Sequence, residues 1–423
     1  MLSKTFYIIF VCMLLLFNTT LHAESNLNTN SISLQNAIRK TFEHNPTLQS
    51  FSYQLKAQDG RELQASMSAS PEINFGIEDA FGSGNYDGTD QAQATLSIGW
   101  VIEGNIRQGF KDVAHAGSLS LSTEAKIQRL DAASETARLY LICLANQARQ
   151  VNASKTVQLS KETVLAVKKR VKAGKTPEAE LARAQAELAH KKLSHEDFEH
   201  ELSSAIRLLA AQWGVTQPDF SRVEGNLFSL PSPLPFEQLK TQLDNSPEFL
   251  RLLSDKRLKQ AELKLARAQS SPEWRVNVGV RHYERTDDQA LVADISIPFG
   301  ERSRNKGRIA TAQANLDQIT VNKDALRVRF ETSLYVLHQE LQHSLHRINT
   351  HKNNIIPQLE AALSETRRAY NLGRYSYFEL RSVQTDLLNA RASLVEDSIA
   401  AHLKVIEIER LTGVRMTRTT KNL

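Results

Sequence analysis

The sequence repeats itself at about half its length, and this duplication constrains the fold more than any other feature. Several short motifs of the first half recur in the same order in the second half, each about 200 residues further along. The matched motifs begin at Asn45 and Ser246, Ala69 and Ser270, Arg107 and Asn305, Val171 and Tyr370, and Gln212 and Leu411. A nearly constant spacing predicts two halves with the same succession of elements.

A proline-rich stretch separates the two halves. Residues 216–235 include Pro218, Pro231 and Pro233, which break regular structure, so this stretch is predicted to be a linker. The predicted division is a signal segment at residues 1–23, a first repeat at 24–215, the linker at 216–235, a second repeat at 236–414 and a tail at 415–423.

The first residues have the pattern of a secretory signal peptide. Lys4 precedes an apolar run from Phe6 to Phe17, and Ala23 is a small residue suited to cleavage. An uncleaved membrane anchor is the alternative, but the run is shorter than the roughly 20 residues of a spanning helix. We therefore expect export with cleavage after Ala23, and no lipid anchor, since no cysteine directly follows it.

Four segments alternate between apolar and polar residues, as half-buried strands do. The predicted strands are Glu72–Phe81, Ala92–Ile102, Trp274–Arg285 and Leu291–Pro298. Strands of about 9–11 residues suit a tilted path through a membrane, and Arg275, Arg281 and Asp294 on the polar face would suit a water-filled lumen. An ordinary soluble sheet packed on a helix is the alternative. Because four strands are too few to close a barrel, a barrel would need several chains.

The predicted helices are too long for an ordinary globular domain. Residues 107–172 contain no proline and would extend about 100 Å at 1.5 Å per residue. The other long arms are residues 178–213, 307–371 and 377–412, and a shorter helix precedes the strands in each half, at 34–69 and 236–270. Pro357 is predicted to kink the third arm. Helices of this length pack as coiled coils, so a filament or scaffold is an alternative function.

The distribution of charge and the motifs present argue against several classes of function. The 52 basic and 47 acidic residues are interspersed, which is not typical of a nucleic-acid-binding protein. No phosphate-binding glycine loop or nucleophile elbow is found, so neither an enzyme nor a cofactor is expected. His343 and His346 have the i,i+3 spacing of a possible metal pair. No carboxylate or cysteine completes a ligand set, and a solvated helix face is the preferred interpretation.

The order of elements, the duplication and two motifs resemble the TolC family of outer-membrane efflux proteins. The motifs are Ile295-Ser-Ile-Pro-Phe-Gly300, followed by Arg304-Asn-Lys-Gly307, and Tyr370-Asn-Leu-Gly373, followed by Phe378-Glu379-Leu380. These stretches look most like the heavy-metal branch of CzcC and CusC. That branch serves resistance-nodulation-division (RND) pumps, which export metal cations, and the resemblance covers nearly all of residues 24–423.

The resemblance implies a mainly helical α+β fold assembled as a homotrimer. Four strands from each chain would form a 12-stranded outer-membrane β-barrel in contact with lipid. The long helices would continue it as a periplasmic α-helical barrel. The turns between helix pairs would form a periplasmic tip that closes the channel and meets a membrane-fusion adaptor, which connects it to an inner-membrane RND pump.

The resemblance also assigns residues at the tip. Gly174 and Gly373 would be the tip turns, and a helix end commonly needs a left-handed residue there. Lys175, Arg374 and Tyr375 would contact the adaptor or join neighbouring helices at the gate. For any one of these charges, a solvated helix face is the alternative.

The resemblance further implies a ring of acidic residues at the gate. Glu180 and Glu379 each follow a tip glycine by six residues, and copies from three chains would attract cations at the closed end. The family often has a second acidic residue three positions further on. Arg183 and Ser382 stand there instead, which departs from the pattern and leaves the charge of the gate open.

The expected function is therefore a passive outer-membrane exit duct whose energy comes from an inner-membrane partner. The same fold would also serve a type I secretion or multidrug duct. A periplasmic coiled-coil scaffold is the alternative from a different class of protein. The expected location is the outer membrane, with a periplasmic extension.

Overall fold

The computed structural model describes residues 31–230 and 232–414, so the predicted signal peptide and tail lie outside the described residues. The elements are β1 (Ser31–Ile32), α1 (Leu34–His44), α2 (Pro46–Ser66), β2 (Glu72–Glu78), β3 (Gln93–Ile102), α3 (Asn105–Lys172), α4 (Glu178–Ala211), β4 (Arg222–Val223), α5 (Phe236–Gln242), α6 (Pro247–Ala268), β5 (Trp274–Tyr283), β6 (Asp288–Ser296), α7 (Glu301–Arg304), α8 (Lys306–Thr350), α9 (Ile356–Asn371) and α10 (Tyr377–Thr412). Short 3₁₀ turns lie at Gly84–Tyr86 and Leu243–Asn245, and a π-helical turn at His351–Ile355.

The helix that opens each half is divided, which differs from the single helices predicted at 34–69 and 236–270. Asn45 and Ser246 both have extended backbones and both precede a proline. The ring of a following proline disfavours helical geometry, so the first helical segment must end there. Each residue then caps the next helix, since its side chain accepts a hydrogen bond from Leu48 N or Phe249 N.

The long helices form as predicted, with one local difference. Helix α3 has 68 residues, which corresponds to about 100 Å at 1.5 Å per residue. At the position of the predicted kink, the chain forms the π-helical turn His351–Ile355 directly before Pro357 and continues as α9. This turn accommodates a proline, which lacks an N–H donor, without ending the helix. Among the helices of the described residues, none is both long and apolar enough to cross a membrane.

The four predicted strands form one antiparallel sheet in the order β2-β3-β5-β6. Strand β3 joins the two halves, because it pairs with β2 on one side and with β5 on the other. The register places Ile98 opposite Val278 and Arg281 opposite Thr95, so apolar residues share one face and polar residues the other. The outer edges of β2 and β6 have no strand partner within the described residues.

Two apolar clusters hold the helices together between the sheet and the far end of the bundle. One cluster joins α1, α3 and α4 with the linker, and includes Leu209 and Val223. The other joins α5, α6, α8 and α10, and includes Leu334 and Leu341. Each fully buried leucine contributes about 1.5–3 kcal/mol relative to an exposed one.

The linker is fixed to the helices by polar side chains. Its short strand β4 pairs in parallel with β1. Gln147 donates from Nε2 to Val223 O (3.0 Å) and accepts from Val223 N (2.6 Å). The His402 Nε2 lies 2.9 Å from Leu227 O, and burial lowers the pKa of this histidine. Neutral, buried groups therefore hold the connection between the halves.

Candidate functional site

The two turns between the long helices have the same backbone geometry. Helices α3 and α9 each end before a glycine in the left-handed region, Gly174 at φ 67° and Gly373 at φ 81°. In both turns the residue after the glycine donates its N–H to a carbonyl five residues back, Lys175 N to Arg170 O and Arg374 N to Ala369 O, each at 2.9 Å. These are Schellman-type helix ends, which glycine forms without steric cost.

The chain beyond each glycine differs between the turns. Helix α10 begins with a capping box, in which Ser376 N and Oγ donate to the Glu379 carboxylate (2.6 and 2.9 Å) and Glu379 N donates back to Ser376 Oγ (3.4 Å). Helix α4 begins after Pro177, which has no side chain able to cap. The half-buried Glu180 instead accepts a short hydrogen bond from the Thr176 hydroxyl.

The surroundings of the two predicted gate carboxylates therefore differ. The hydrogen bonds from the Ser376 backbone and hydroxyl hold the pKa of the exposed Glu379 below its usual value. The charge of Glu180 acts on the phenol groups of Tyr370 and Tyr377. Burial raises the pKa of both phenols.

Arg170 and Tyr370 join the two hairpins and were missed by sequence reasoning. The Arg170 guanidinium lies 4.5 Å from the centre of the Tyr370 ring and donates a short hydrogen bond to the Tyr370 carbonyl. Tyr370 is buried beside Val167, Ala184 and Leu380 in a small apolar cluster. In the sequence, Tyr370 was recognised only as the counterpart of Val171 in the other half. Its contact with Arg170 could not be predicted, because residues 200 positions apart leave no local pattern.

A groove runs along the surface beside this contact. It has a volume of ≈ 540 Å³ and is lined by Glu162, Leu165, Ala166, Lys169, Arg170, Ala173, Lys175 and Asn371. Glu162 pairs with Arg367 of the other hairpin at 3.3 Å. The predicted contact residues Lys175, Arg374 and Tyr375 are all exposed. The structure thus brings Lys175 to a concave surface between the hairpins.

At the opposite end of the long helices, the sheet has two chemically distinct faces. The apolar face carries large exposed side chains, among them Phe75 at 68%, Leu291 at 84% and Ile295 at 61% exposure. On the polar face, Arg281 contacts Glu78 (2.9 Å), Thr95 (2.9 Å) and Gln93 (3.0 Å), and Asn277 donates to Asp294 (3.2 Å). Arg275 shares this polar face, opposite Val101 and Ser296.

The histidines of α8 do not gather at one place. His343 and His346 are exposed, whereas His338 is buried, with Nε2 3.2 Å from Leu234 O. His351 lies in the π-helical turn, 3.7 Å from Asp397, which also pairs with Arg347 at 3.0 Å. Among the described residues, no group of three or more His, Cys, Asp or Glu is arranged to hold a metal ion.

Comparison with curated proteins finds similar chains that confer metal resistance. No protein-family model matches the chain. It is 24% identical to the cobalt-zinc-cadmium resistance protein CzcC of Cupriavidus metallidurans over 382 residues. This stretch covers 90% of this chain and 90% of that one. It is 23% identical over 300 residues to the nickel and cobalt resistance protein CnrC of the same organism, which covers 69% of this chain and 71% of that one. These similarities confirm the resemblance to the heavy-metal branch.

Comparison with solved structures establishes the fold. The chain matches the outer membrane protein VceC of Vibrio cholerae with a TM-score of 0.74 and 18% identity, over 91% of this chain and 97% of that one. It matches CusC with a TM-score of 0.69 and 15% identity, over 93% and 95%. The match to the CmeC outer membrane channel of Campylobacter jejuni has a TM-score of 0.69 and 13% identity, over 90% and 85%. The predicted mainly helical, TolC-like fold is confirmed.

Proposed function

We propose that this chain, which has the TolC-like fold of outer-membrane channels, is the passive exit duct of a tripartite pump that exports metal cations. Three copies would pool their strands in a 12-stranded outer-membrane barrel and continue it as a periplasmic helical barrel. A periplasmic membrane-fusion adaptor and an inner-membrane RND transporter would deliver the cargo. The predicted leader would export the chain.

The sheet is the observation that carries this proposal. Its apolar face leaves residues such as Ile73 and Leu291 more than three-quarters exposed, which is costly in water and favourable in lipid. The free edges of β2 and β6 offer unpaired backbone groups to strands of neighbouring copies. A trimer would satisfy both needs at once, since closing the barrel removes the edges and places the apolar face against the membrane.

The polar face would then line the lumen. Arg275, Arg281 and Asp294 would face water inside the barrel, as polar interior residues do in outer-membrane channels. The contacts of Arg281 with three neighbouring side chains would hold it along the wall instead of across the opening.

The turns at Gly174 and Gly373 would form the periplasmic tip. Glu180 and Glu379 would contribute to a gate ring there, and Lys175, Arg374 and Tyr375 would contact the adaptor. The likeness to CzcC and CnrC over most of the chain supports metal cations as the cargo. No tight ligand set is required, because a duct gains nothing from retaining its cargo.

Metal tolerance of a deletion strain tests this function. The strain is grown on graded cobalt, zinc, cadmium, nickel and copper salts, with and without a plasmid that supplies the chain. We expect sensitivity to at least one cation, relieved by the plasmid. Unchanged tolerance to every metal, together with lost drug efflux or protein secretion, would favour a multidrug or type I secretion duct instead.

Membrane behaviour separates a duct from a scaffold. The purified mature chain should require detergent, migrate as a trimer and conduct ions in planar bilayers. A water-soluble chain that neither enters bilayers nor conducts would support the scaffold alternative.

A further inference from the structure

A groove of ≈ 410 Å³ lies between α1 and α3, away from the turns between the long helices. It is lined by Gln35, Ile38, Arg39, Phe42, Glu43 and Arg129, and we call it the α1 groove. Lys172, the last residue of α3, follows Arg129 by 43 positions, which corresponds to about 65 Å along the helix. The groove is therefore separate from the turns.

The duplication provides a second copy of this place for comparison. Each half buries two residues, four positions apart, where its first helix begins to pack on the bundle. These are Ala37 and Thr41 in α1, and Leu239 and Leu243 in α5 and the 3₁₀ turn after it. Ile38 and Phe42, each one position further on, therefore take the places of Lys240 and Asp244.

Contacts with the long helices support this match. Arg129 and Arg327 are 198 residues apart, the same spacing as the motifs at the start of α3 and α8. Arg129 lies over the Phe42 ring, 4.7 Å from its centre. Arg327 donates a short hydrogen bond to Asp244. Equivalent arginines thus contact equivalent positions of the two shorter helices.

In the second half, the charges at this place are paired within the chain. The Lys240 Nζ lies 2.5 Å from Glu331 Oε1. Arg327 lies 5.9 Å from the centre of the Phe249 ring while it binds Asp244. An arginine beside an aromatic ring can therefore bind a carboxylate at the same time, and the two ion pairs leave this surface neutral.

In the first half, the two equivalent carboxylates are missing. Phe42 stands in the place of Asp244, and Ala133 stands 198 residues before Glu331. Arg129 is exposed and lies against the Phe42 ring, but it forms no hydrogen bond or ion pair within the described residues. The chain thus retains the arginine and the aromatic ring and lacks the acid that would complete them.

Two other charged residues line the groove. Arg39 is exposed and forms no ion pair within the described part of the chain. Glu43 lies 3.8 Å from His44 and does not pair with Arg129. The groove therefore has two positive charges and one negative charge around an apolar floor.

A neighbouring copy in the proposed trimer is not expected to fill the groove. The main contacts of α5, the counterpart of α1, are with α8, α10 and the 3₁₀ turn of its own half. The side chains of Lys240 and Asp244 stay 40% and 63% exposed, although the first half adjoins the second within the chain. A second half placed beside the first would equally leave the α1 groove open.

We infer that the α1 groove binds an acidic segment of another protein. A carboxylate of this segment binds Arg129 as Asp244 binds Arg327, and an adjacent apolar side chain covers the floor. The edge of the guanidinium is free to bind, because only its flat face contacts the Phe42 ring. This inference goes beyond the proposed export of metals and does not depend on the cargo.

The test uses the mature chain in detergent micelles and short fluorescent peptides. One peptide repeats leucine and glutamate, a second has glutamine for each glutamate, and a third has serine for each leucine. Isolated peptidoglycan, sedimented with the chain, is a further probe, because its peptides also carry carboxylates. Fluorescence anisotropy measures the affinity and the number of peptides bound per chain.

We expect the peptide of leucine and glutamate to bind more tightly than the other two. Arg129→Gln should weaken its binding about fivefold or more, since a charged donor is lost. Arg327→Gln is the matched control and should leave binding unchanged, because Arg327 already holds Asp244. Glu43→Gln should strengthen binding, because it removes a like charge from the rim.

Exchanging the two places gives the sharpest test. Phe42→Asp supplies the missing carboxylate within the chain and should abolish binding. The reverse variant, Lys240→Ile/Asp244→Phe/Glu331→Ala, copies the α1 groove into the second half and should raise the number of bound peptides from one to two per chain. Both variants use residues that occur at the equivalent place, so we expect them to fold, and thermal unfolding checks this.

Several results would overturn the inference. Equal binding of all three peptides, or binding that survives both Arg129→Gln and Phe42→Asp, would exclude the arginine as the anchor. Sedimentation with peptidoglycan without peptide binding would indicate a cell-wall ligand. Binding only after Glu24→Gln/Leu27→Ser would show that residues 24–30 of the chain itself fill the groove. A folded reverse variant that binds no second peptide would show that a free arginine beside an apolar floor does not make the site.

Discussion

The turns at Gly174 and Gly373 occupy equivalent places in the two halves, yet they use their acidic residue differently. Both helices end with the same left-handed glycine and the same hydrogen bond over five residues. In the second turn, Glu379 is bound by Ser376 and caps α10. In the first turn, Glu180 accepts a hydrogen bond from the Thr176 hydroxyl and caps no helix end.

This difference shows that a duplicated turn can preserve its backbone while its side chains diverge. The reversal of chain direction depends on the glycine, so both copies retain it. The carboxylate is not needed for this reversal. In one copy it stabilises a helix start, and in the other its charge acts on Tyr370 and Tyr377.

The largest effect is expected from Gly373→Pro. Proline cannot adopt φ 81° and would remove the hydrogen bond from Gly373 N to Tyr370 O, at a cost of about 3 kcal/mol or more. We expect loss of metal export with normal insertion in the outer membrane, measured by metal tolerance and by the amount of trimer in that membrane. Gly373→Asn is the matched control, since asparagine tolerates the left-handed region.

The same substitution at Gly174 tests whether the two turns are equivalent at the level of the backbone. Gly174→Pro should abolish export to the same degree, because its φ of 67° is equally closed to proline. Full metal tolerance with either proline variant would contradict the assignment of these turns to the tip.

A smaller effect is expected from neutralising each carboxylate. Glu180→Gln should lower the preference for cations over anions by about twofold or more, since the proposed gate of a trimer would lose three negative charges. Glu379→Gln removes the same charge, but from an exposed group already held by two donors at a helix start, so its effect should be weaker. Reversal potentials in planar bilayers measure both. Equal shifts would show that the two carboxylates still act alike.

Removing the cap should have a local effect in one turn only. Ser376→Ala deletes the hydroxyl that both accepts from Glu379 N and donates to its carboxylate, which typically costs about 1 kcal/mol. Amide hydrogen exchange in the first turn of α10 should therefore accelerate about fivefold. Thr176→Ala is the control, because α4 has no side-chain cap to lose. Similar acceleration at both helix starts would show that Thr176 stabilises α4 in another way.

Local patterns predicted most of the fold, while contacts between distant residues were not predictable. Alternation located β5 and β6, because one side of each strand is apolar over most of its length. The spacing of Ser376 and Glu379 is that of a capping box, but the resemblance assigned the carboxylate to the gate and the cap was not predicted. The Arg170–Tyr370 contact gave no signal, since neither residue has a pattern that identifies its partner.

The smallest predicted effect is a difference in acid sensitivity between the turns. Hydrogen bonds from Ser376 lower the pKa of Glu379, so the folded state binds this proton less readily than the unfolded chain does. The stabilising contribution is therefore complete above the ordinary glutamate pKa and is lost as the pH falls through the lowered value. Exchange protection at the start of α10, corrected for the intrinsic rate, should stay constant from neutral pH into the ordinary glutamate range and decline below it. Glu379→Gln should abolish this decline because it has no proton to gain, and a decline that persisted in that variant would mean that another group destabilises the helix start in acid.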